Sequence, residues 1–400
     1  MSPWTFHSAG SLLFGRGVVS QLGAVADRSK AKKVFVVTDE TLAKAKVLDA
    51  VTEPLKGRTV EVFAGCRPEP PLEVIRAAVA AGRAFGPDLV VGLGGGSNMD
   101  TAKLVALVLA HGGEPTDYVG DCKVPGPILP LVCVPTTAGT GSEVSAAAVF
   151  TDTEKKIKVS CLSPYLRPAV AVVDPMLSVG CPKTVTADSG IDALTHAIEA
   201  FTAVDQGEFL ARPPGGETVY QGKNPLADLM AAEAITLVAR YLRRAVANGN
   251  DLDARDGMAL AATLGGLAFA NAGVALVHAM EYPVGGAVHV SHGAGNGLLL
   301  PYVMRYNLTA RVREFANIAL FMDAADLSVP DVVNAPRSIE AVENLRADIG
   351  IPTRLRDLGV TEEMLPGFAE KAFSIKRLMR VNPRFPASAE EILGIYRTAF

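Results

Sequence analysis

The chain has 400 residues, of which 49% are hydrophobic and 20% charged, a globular composition with more material than one hydrophobic core usually organises. A formal net charge of -4 and a pI near 5.9 provide no basic footprint for nucleic acid or anionic lipid, so small-molecule chemistry is favoured by elimination. The five cysteines, Cys66, Cys122, Cys133, Cys161 and Cys181, are odd in number and widely scattered, which excludes a disulfide framework or a zinc knuckle and fits reduced thiols in a cytosolic protein.

The N-terminus, Met1-Ser2-Pro3-Trp4-Thr5-Phe6-His7, has no charged segment followed by an apolar run, so no secretory signal is read and a cytoplasmic location is expected. From Lys33 to about Asp174, β-rich runs alternate with helical patterns, the signature of a parallel sheet flanked by helices. Lys33 to Thr38 is the first strong strand, and Asp39 follows it with a helical stretch, Glu40 to Val51, behind. An acidic residue there can accept from an adenosine ribose while its charge repels a 2′-phosphate; it can equally cap the helix, or do both. Val60 to Phe63 is a weaker strand. Pro68, Pro70 and Pro71 then stiffen the entry to a helix from Leu72 to Phe85.

A buried strand next runs into Gly94-Gly95-Gly96-Ser97-Asn98-Met99 and a helix ending near Ala110. Glycines permit close backbone approach and a new helix presents unpaired N–H groups to an anion, so this turn reads as a phosphate cradle, although its spacing is not GxGxxG. Leu131 to Pro135 is another strand, followed by the hydroxyl-rich loop Thr136-Thr137-Ala138-Gly139-Thr140-Gly141-Ser142-Glu143, suited either to a ligand crevice or to helix capping. Val149 to Asp152 and Lys156 to Cys161 suggest a hairpin, with Lys158 a candidate cation near a cofactor.

After Val170 to Pro175 the texture changes, strands vanish and helical periodicity takes over, so a domain boundary is placed near Gly180. The first helix of this second domain carries Asp192 and His196 one turn apart on one face, half of a four-coordinate metal site or an ordinary surface pair. Between Thr202 and Pro225 a polar insertion, Arg212 to Asn224, is expected to break the helical array as a loop. The charged run Asp251 to Asp256 reads as a solvated helix start. Met258 to Met280, free of charge and long enough for a bilayer, contains Asn271, His278 and three glycines, and is therefore read as buried helix. His278, His289 and His292 are three of only six histidines. Pro283 and the pair Gly285-Gly286 are expected to end one helix before His292 begins another. Asn307 to Phe400 gives helices and Pro turns without a chemical motif.

Taken together, Gly94-Gly95-Gly96-Ser97-x-x-Asp100-x-x-Lys103, Pro135-Thr136-Thr137-Ala138-Gly139-Thr140-Gly141-Ser142-Glu143, Asp192-x-x-x-His196-Ala197-x-Glu199, and His278 with His292 fourteen residues on resemble the iron-containing (group III) alcohol dehydrogenases, in order and over nearly the whole chain. The resemblance implies a Rossmann-like α/β dinucleotide-binding domain over residues 1–180 and an all-helical metal and substrate domain over residues 181–400, an architecture shared with dehydroquinate synthase, with the metal in the cleft between them. It implies Asp192, His196, His278 and His292 as ligands of Fe2+ or Zn2+. It also implies NAD contacts from Asp39, Gly95, Gly96, Ser97, Asn98, Met99, Thr136, Thr137, Val149, Lys158 and Leu177. The expected activity is hydride transfer between a small alcohol or hydroxy acid and the nicotinamide, with aldehyde or oxo acid on the other side, by a homo-oligomer such as a dimer.

Within the family, Val219 to Asp228 and Met280-Glu281-Tyr282-Pro283 look most like the hydroxyacid-oxoacid transhydrogenase branch, which is the alternative activity. A lyase of the dehydroquinate synthase type is a further alternative. Two departures from the commoner pattern stand out. Tyr282 occupies the place of a second histidine, which leaves the proton relay open among Tyr282, His289 and ribose hydroxyls. Arg67-Pro68-Glu69-Pro70 stands where many members have Asn-Pro, which weakens that cofactor contact.

Overall fold

The computed structural model describes residues 3–155 and 157–400; Lys156, expected to open a hairpin strand, lies outside the described residues, as do Met1 and Ser2. Two compact units emerge. Ser8–Gly180 with Glu217–Val219 forms one, and Cys181–Gly216 with Tyr220–Phe400 and residues 3–7 forms the other.

The first unit is built on a six-stranded parallel sheet in the order β1-β9-β6-β4-β2-β3. Its strands are β1 (Ser11–Phe14), β2 (Lys33–Val37), β3 (Thr59–Phe63), β4 (Leu89–Gly94), β6 (Leu131–Pro135) and β9 (Val170–Val173). The central strands are buried on both faces, as sheets covered by helices on each side require, and their side chains alternate. Phe35, Val37 and Val90 join Leu72, Ile75 and Leu104 in one core layer; Val34, Val36, Leu89, Val91 and Leu93 join Leu22, Val25 and Leu55 in the other. The helices supplying those layers are α1 (Leu22–Arg28), α3 (Lys46–Thr52), α4 (Leu72–Phe85) and α5 (Gly96–His111), with the short α2 (Glu40–Ala43) lying outside them.

The helix expected over 40–51 is thus two, because the backbone turns extended at Ala45 before restarting. The strand β1 and the helix α1, before Lys33, had no strong sequence signal; β1 is a short, largely exposed edge strand without alternation. A three-stranded sheet, β5 (Gly120–Asp121), β8 (Ile157–Leu162) and β7 (Ala147–Asp152), contains the expected hairpin.

The second unit is helical. It comprises α6 (Lys183–Thr202), α7 (Gln206–Ala211), α8 (Pro225–Ala247), α9 (Leu252–Ala272), α10 (Leu276–Val288), α11 (His292–Asn307), α12 (Val312–Phe321), α13 (Asp331–Asp348), α14 (Leu365–Ser374), α15 (Lys376–Val381) and α16 (Ala389–Ala399). Two local expectations are corrected here. Pro283 and Gly285-Gly286 do not stop their helix: α10 runs through all three and ends where His289 turns left-handed at φ 54°. A proline inside a helix loses the hydrogen bond of its own nitrogen and crowds the carbonyl one turn back, and here burial of Pro283 among its neighbours accompanies the helix continuing through it.

The run 251–256 is not wholly solvated either, since Arg255 is buried and donates to Gly249 O (2.9 Å) and Thr186 Oγ1 (3.0 Å). The insertion 212–224 is a loop between α7 and α8, as expected, but a packed one: Val219 and Tyr220 are buried, and the Gln221, Gly222 and Lys223 amides donate to Asn271, Ala272 and Val204 carbonyls. Among the described residues no single helix is long and apolar enough to cross a membrane, and the apolar stretch near 258–280 is divided into α9 and α10, which meet at 106°.

One buried cation organises the first unit. Lys103 on α5 is fully buried, and its Nζ donates to Ser142 Oγ (2.8 Å), Ser145 Oγ (3.1 Å) and Ala147 O (2.7 Å), with Asp100 Oδ1 at 3.7 Å. Asp100 in turn accepts from Ser142 Oγ (2.6 Å) and the Val149 amide (3.0 Å). The pair therefore ties the 136–147 loop and strand β7 to α5. Replacing Lys103 by Met should leave Asp100 buried without its cation and cost roughly 3–5 kcal/mol of unfolding free energy, read from urea denaturation.

Candidate metal centre and nucleotide cradle

Three neighbouring helices of the second unit bring the candidate metal ligands together. Asp192 lies on α6, His278 on α10 and His292 at the start of α11, and one donor atom from each lies within 4.8 Å of the others. The approach of α11 to α6 depends on a missing side chain. A Cβ at Gly293 would sit 2.0 Å from the Asp188 carbonyl oxygen, so any other residue there would push His292 and Asn296 away from Asp192.

The imidazoles are held in a defined tautomer. His278 Nδ1 donates to Glu199 Oε2 at 2.6 Å, and His292 Nδ1 is in close contact with Glu281 Oε2. With the proton on Nδ1, each ring presents an unprotonated Nε2, the form a metal requires. Glu199 is itself fixed by the Ala275 amide (2.8 Å) and the Val277 amide (2.7 Å), where α10 begins. Asn296 Nδ2 donates to Asp192 Oδ1 at 2.8 Å and lies 3.2 Å and 3.1 Å from the Nε2 atoms of His278 and His292.

His196, the fourth expected ligand, stands just outside this close group. Its Nδ1 is 4.0 Å from Asp192 Oδ2, and its ring stacks on Phe269 and His278 with centroids 4.3 Å and 4.8 Å away. Burial pushes its pKa down to about 4 against the pull of Asp192, so the ring is neutral at physiological pH. Burial alone would raise the Asp192 carboxyl, but the three imidazoles and Asn296 hold it below its ordinary value.

The residues fit a metal ion. His196 Nδ1 and Asn296 Oδ1 are buried polar atoms without a hydrogen-bond partner, and a carboxylate with three imidazoles is the donor set that binds Fe(II) or Zn(II). Tyr282 is half-buried with its ring 6.0 Å from that of His292, whereas His289 is exposed at the end of α10. Glu199, Glu281 and Asn296 are the partners to which the sequence reading assigned no role. Each lies three or four residues from a ligand on the same helix, a spacing that periodicity makes legible once the ligands are known.

The nucleotide candidates collect at one edge of the parallel sheet. Gly94 pairs with Pro135, so β4 and β6 end level, and Val37 pairs with Gly92, so neighbouring β2 ends two residues earlier at the same side of the sheet. Gly94 adopts φ 137°, where a Cβ would lie 2.1 Å from Asn98 Nδ2, and the Thr136 amide donates to its carbonyl at 3.0 Å. The turn then opens α5 at Gly96, presenting the free N–H groups of Gly96 and Ser97 in a first turn that is only half-buried. That cradle fits a pyrophosphate.

Asp39 does cap its helix, accepting from the Leu42 amide at 3.0 Å, and its other oxygen accepts from Asn98 Nδ2 at 2.7 Å. Thr137 is half-buried beside Gly95, and Thr136 is buried. Other expected contacts are engaged in the fold. Asn98 and Met99 are buried, the Val149 amide is used by Asp100, Leu177 packs in the sheet core, and Lys158 is paired with Glu69 at 2.7 Å.

Comparison with known proteins finds matches over nearly the whole chain. Residues 9–175 match the family model for iron-containing alcohol dehydrogenase, and residues 218–400 match that for the C-terminal part of the same family. Long-chain-alcohol dehydrogenase 1 of Geobacillus thermodenitrificans is 41% identical over 96% of this chain and 94% of its own. The NAD-dependent methanol dehydrogenase of Bacillus methanolicus is 36% identical over 97% of each chain. The crystal structure of a 1,3-propanediol oxidoreductase superposes with a TM-score of 0.93 at 38% identity, covering 100% of both chains. The chain belongs to the iron-containing alcohol dehydrogenase family and is a metal-dependent oxidoreductase with a Rossmann-like N-terminal unit and a helical C-terminal one.

If Glu199 and Glu281 set the tautomers, Glu199→Gln and Glu281→Gln should each weaken metal retention roughly 10- to 100-fold, measured by chelator competition on protein of unchanged helical content.

Proposed function

We propose that the protein interconverts a small primary alcohol and its aldehyde with NAD as hydride carrier and Fe2+ as metal, held by Asp192, His196, His278 and His292. The observation that carries this reading is the pair of buried imidazoles whose protons are fixed on Nδ1 by Glu199 and Glu281, beside the carboxylate of Asp192. Buried histidines that serve packing alone need no such alignment of three donor atoms. When bound, the metal supplies Lewis acidity toward the substrate oxygen and the nicotinamide supplies the hydride acceptor.

The chain's own groups then do the positioning. Glu199 and Glu281 keep the ligand rings from rotating and fix the tautomer with the proton on Nδ1, and Asn296 orients Asp192 through its Oδ1. The amides of the α5 first turn take the pyrophosphate, Thr137 adds a hydroxyl, and Asp39 places a negative charge where NADP would carry its 2′-phosphate. Tyr282, close to His292, is better placed than the exposed His289 to pass a proton. NAD is supported by Asp39 and by the NAD-dependent relative, and the alcohol class by the relatives' printed activities, which span long-chain alcohols, methanol and 1,3-propanediol. No observation favours hydride exchange between a hydroxy acid and an oxo acid. Among the described residues the side chains bonded to the candidate ligands are Glu199, Glu281 and Asn296, rather than the basic groups a lyase acting on a phosphorylated substrate would need.

The test is direct. Protein loaded with Fe2+ should form NADH from NAD+ and a primary alcohol without any oxo acid acceptor, lose that activity on chelation, and regain it with Fe2+. Failure to release NADH unless an oxo acid is added would overturn the dehydrogenase reading. Asp39→Asn should raise turnover with NADP+ relative to NAD+ roughly tenfold or more, as removal of a repelling carboxylate near a phosphate implies.

A further inference from the structure

One of the carboxylates that hold the candidate ligands is itself held from a distant part of the chain. Glu281, fully buried, lies in the turn of α10 that runs from Ala279 to Pro283. Pro283 has no N–H to return to the Ala279 carbonyl, and its ring crowds that carbonyl, so this turn has less internal support than the rest of the helix. A donor from outside meets it there. Tyr396 on α16, completely buried, donates its hydroxyl to the Met280 carbonyl at 2.5 Å, and its ring lies 6.0 Å from that of Phe368 on α14. Burial and the Glu281 carboxylate push the Tyr396 pKa well above the ordinary tyrosine value, so the hydroxyl keeps its proton and remains a donor.

The Glu281 side chain also needs room on α11. A Cβ at Gly295 would sit 2.8 Å from Glu281 Cγ and 3.3 Å from its Oε1. Gly295 stands three residues after His292, whose Nδ1 is in close contact with Glu281 Oε2, so the glycine and the ligand share one part of the helix surface. Glu281 therefore reaches His292 through a space that glycine leaves open, from a turn that Tyr396 secures.

We infer that Tyr396 is a positioning residue for the metal centre: from α16 it fixes the turn of α10 that carries Glu281 against the seat left by Gly295, and through Glu281 it sets the direction and tautomer of His292. The inference rests on the reading that Asp192, His196, His278 and His292 hold a metal. It gives the C-terminal helix a part in that centre, although α16 supplies no candidate ligand. A shift of the backbone at residues 280–281 moves the carboxylate that keeps the His292 proton on Nδ1, and a metal senses the orientation of such outer partners in its affinity.

The test reads metal retention rather than turnover. The full-length protein is loaded with Fe2+, or with Co2+ for its visible absorption, and metal is withdrawn by chelator competition from the wild type, Tyr396→Phe, Glu281→Ala, their double variant and Tyr306→Phe, with thermal melting followed in each. Tyr306 on α11 donates to Glu391 on α16 at 2.5 Å, so Tyr306→Phe removes a hydroxyl bond of the same C-terminal helix that does not involve α10. Tyr396→Phe should weaken retention roughly three- to tenfold, the worth of one hydrogen bond, and shift the Co2+ bands, whereas Tyr306→Phe should do neither. In the Glu281→Ala background the Tyr396→Phe change should have no further effect, because it acts through that carboxylate. Should Tyr396→Phe not fold, Gly295→Ala disturbs the same side chain from α11, and its loss of retention should likewise vanish with Glu281→Ala. Unchanged retention and spectrum in Tyr396→Phe, an equal loss in Tyr306→Phe, or a loss that persists undiminished without Glu281 would overturn the inference while leaving the metal centre intact. A wild type that retains neither Fe2+ nor Co2+ would instead overturn the proposed function, and this inference with it.

Discussion

An imidazole offers a metal its Nε2 lone pair only while the ring proton stays on Nδ1, and the second unit is organised around keeping it there. Glu199 holds His278 and Glu281 holds His292, each carboxylate buried and therefore unable to swing away to water. Glu199 is anchored by two amides at the start of α10, so the same carboxylate that sets the tautomer also terminates the free N–H groups of the helix bearing the ligand. Removing any part of this chain would leave buried polar groups unpaired, which ties the precision of the centre to the stability of the helices around it.

The helices can deliver those side chains only because they approach closely. Small residues on α11 face α6: beyond Gly293, a Cβ at Gly297 would sit 2.7 Å from Ile191. Asp192 and His196 project from α6, His292 and Asn296 from α11, each pair four residues apart, and His278 with Glu281 projects from α10. The candidate ligands and the side chains that hold them thus share elements, with each holder also reaching across to a neighbouring helix. Neutral His196, stacked between Phe269 and His278, joins the centre by packing rather than by any hydrogen bond to its Nδ1.

The first unit solves a different problem, the placement of loops at a sheet edge. Register brings the ends of β4 and β6 level with β2 ending two residues earlier on the same side, and the buried Lys103 with Asp100 ties the hydroxyl-rich loop to α5. Burial lowers the Lys103 pKa and raises that of Asp100, so the network holds by direct hydrogen bonds to four oxygen atoms of the loop and β7 rather than by charge alone. Polar groups that read as ligand contacts in the sequence are partly consumed by this bracing. Asn98 bridges Asp39 and the Leu93 carbonyl, and the Val149 amide goes to Asp100.

Periodicity and spacing were sufficient for the alternating strands and helices after Lys33, the glycine turn into α5, the change to helices near residue 180, and the pairs that carry Asp192, His196, His278 and His292. These are local properties: the period of apolar residues, the conformational freedom of glycine and the scarcity of histidine are all visible within a few turns of chain. Tertiary structure alone decided the continuation of α10 through Pro283, the burial of Arg255 and of the 219–220 segment, the edge strand β1, and the partners of Glu199, Glu281, Asn296 and Glu69. Each depends on a partner from another element, such as an amide of α10 for Glu199 or an ammonium on β8 for Glu69. A hydrogen bond or a packed surface between residues tens of positions apart leaves no mark on the sequence around either one.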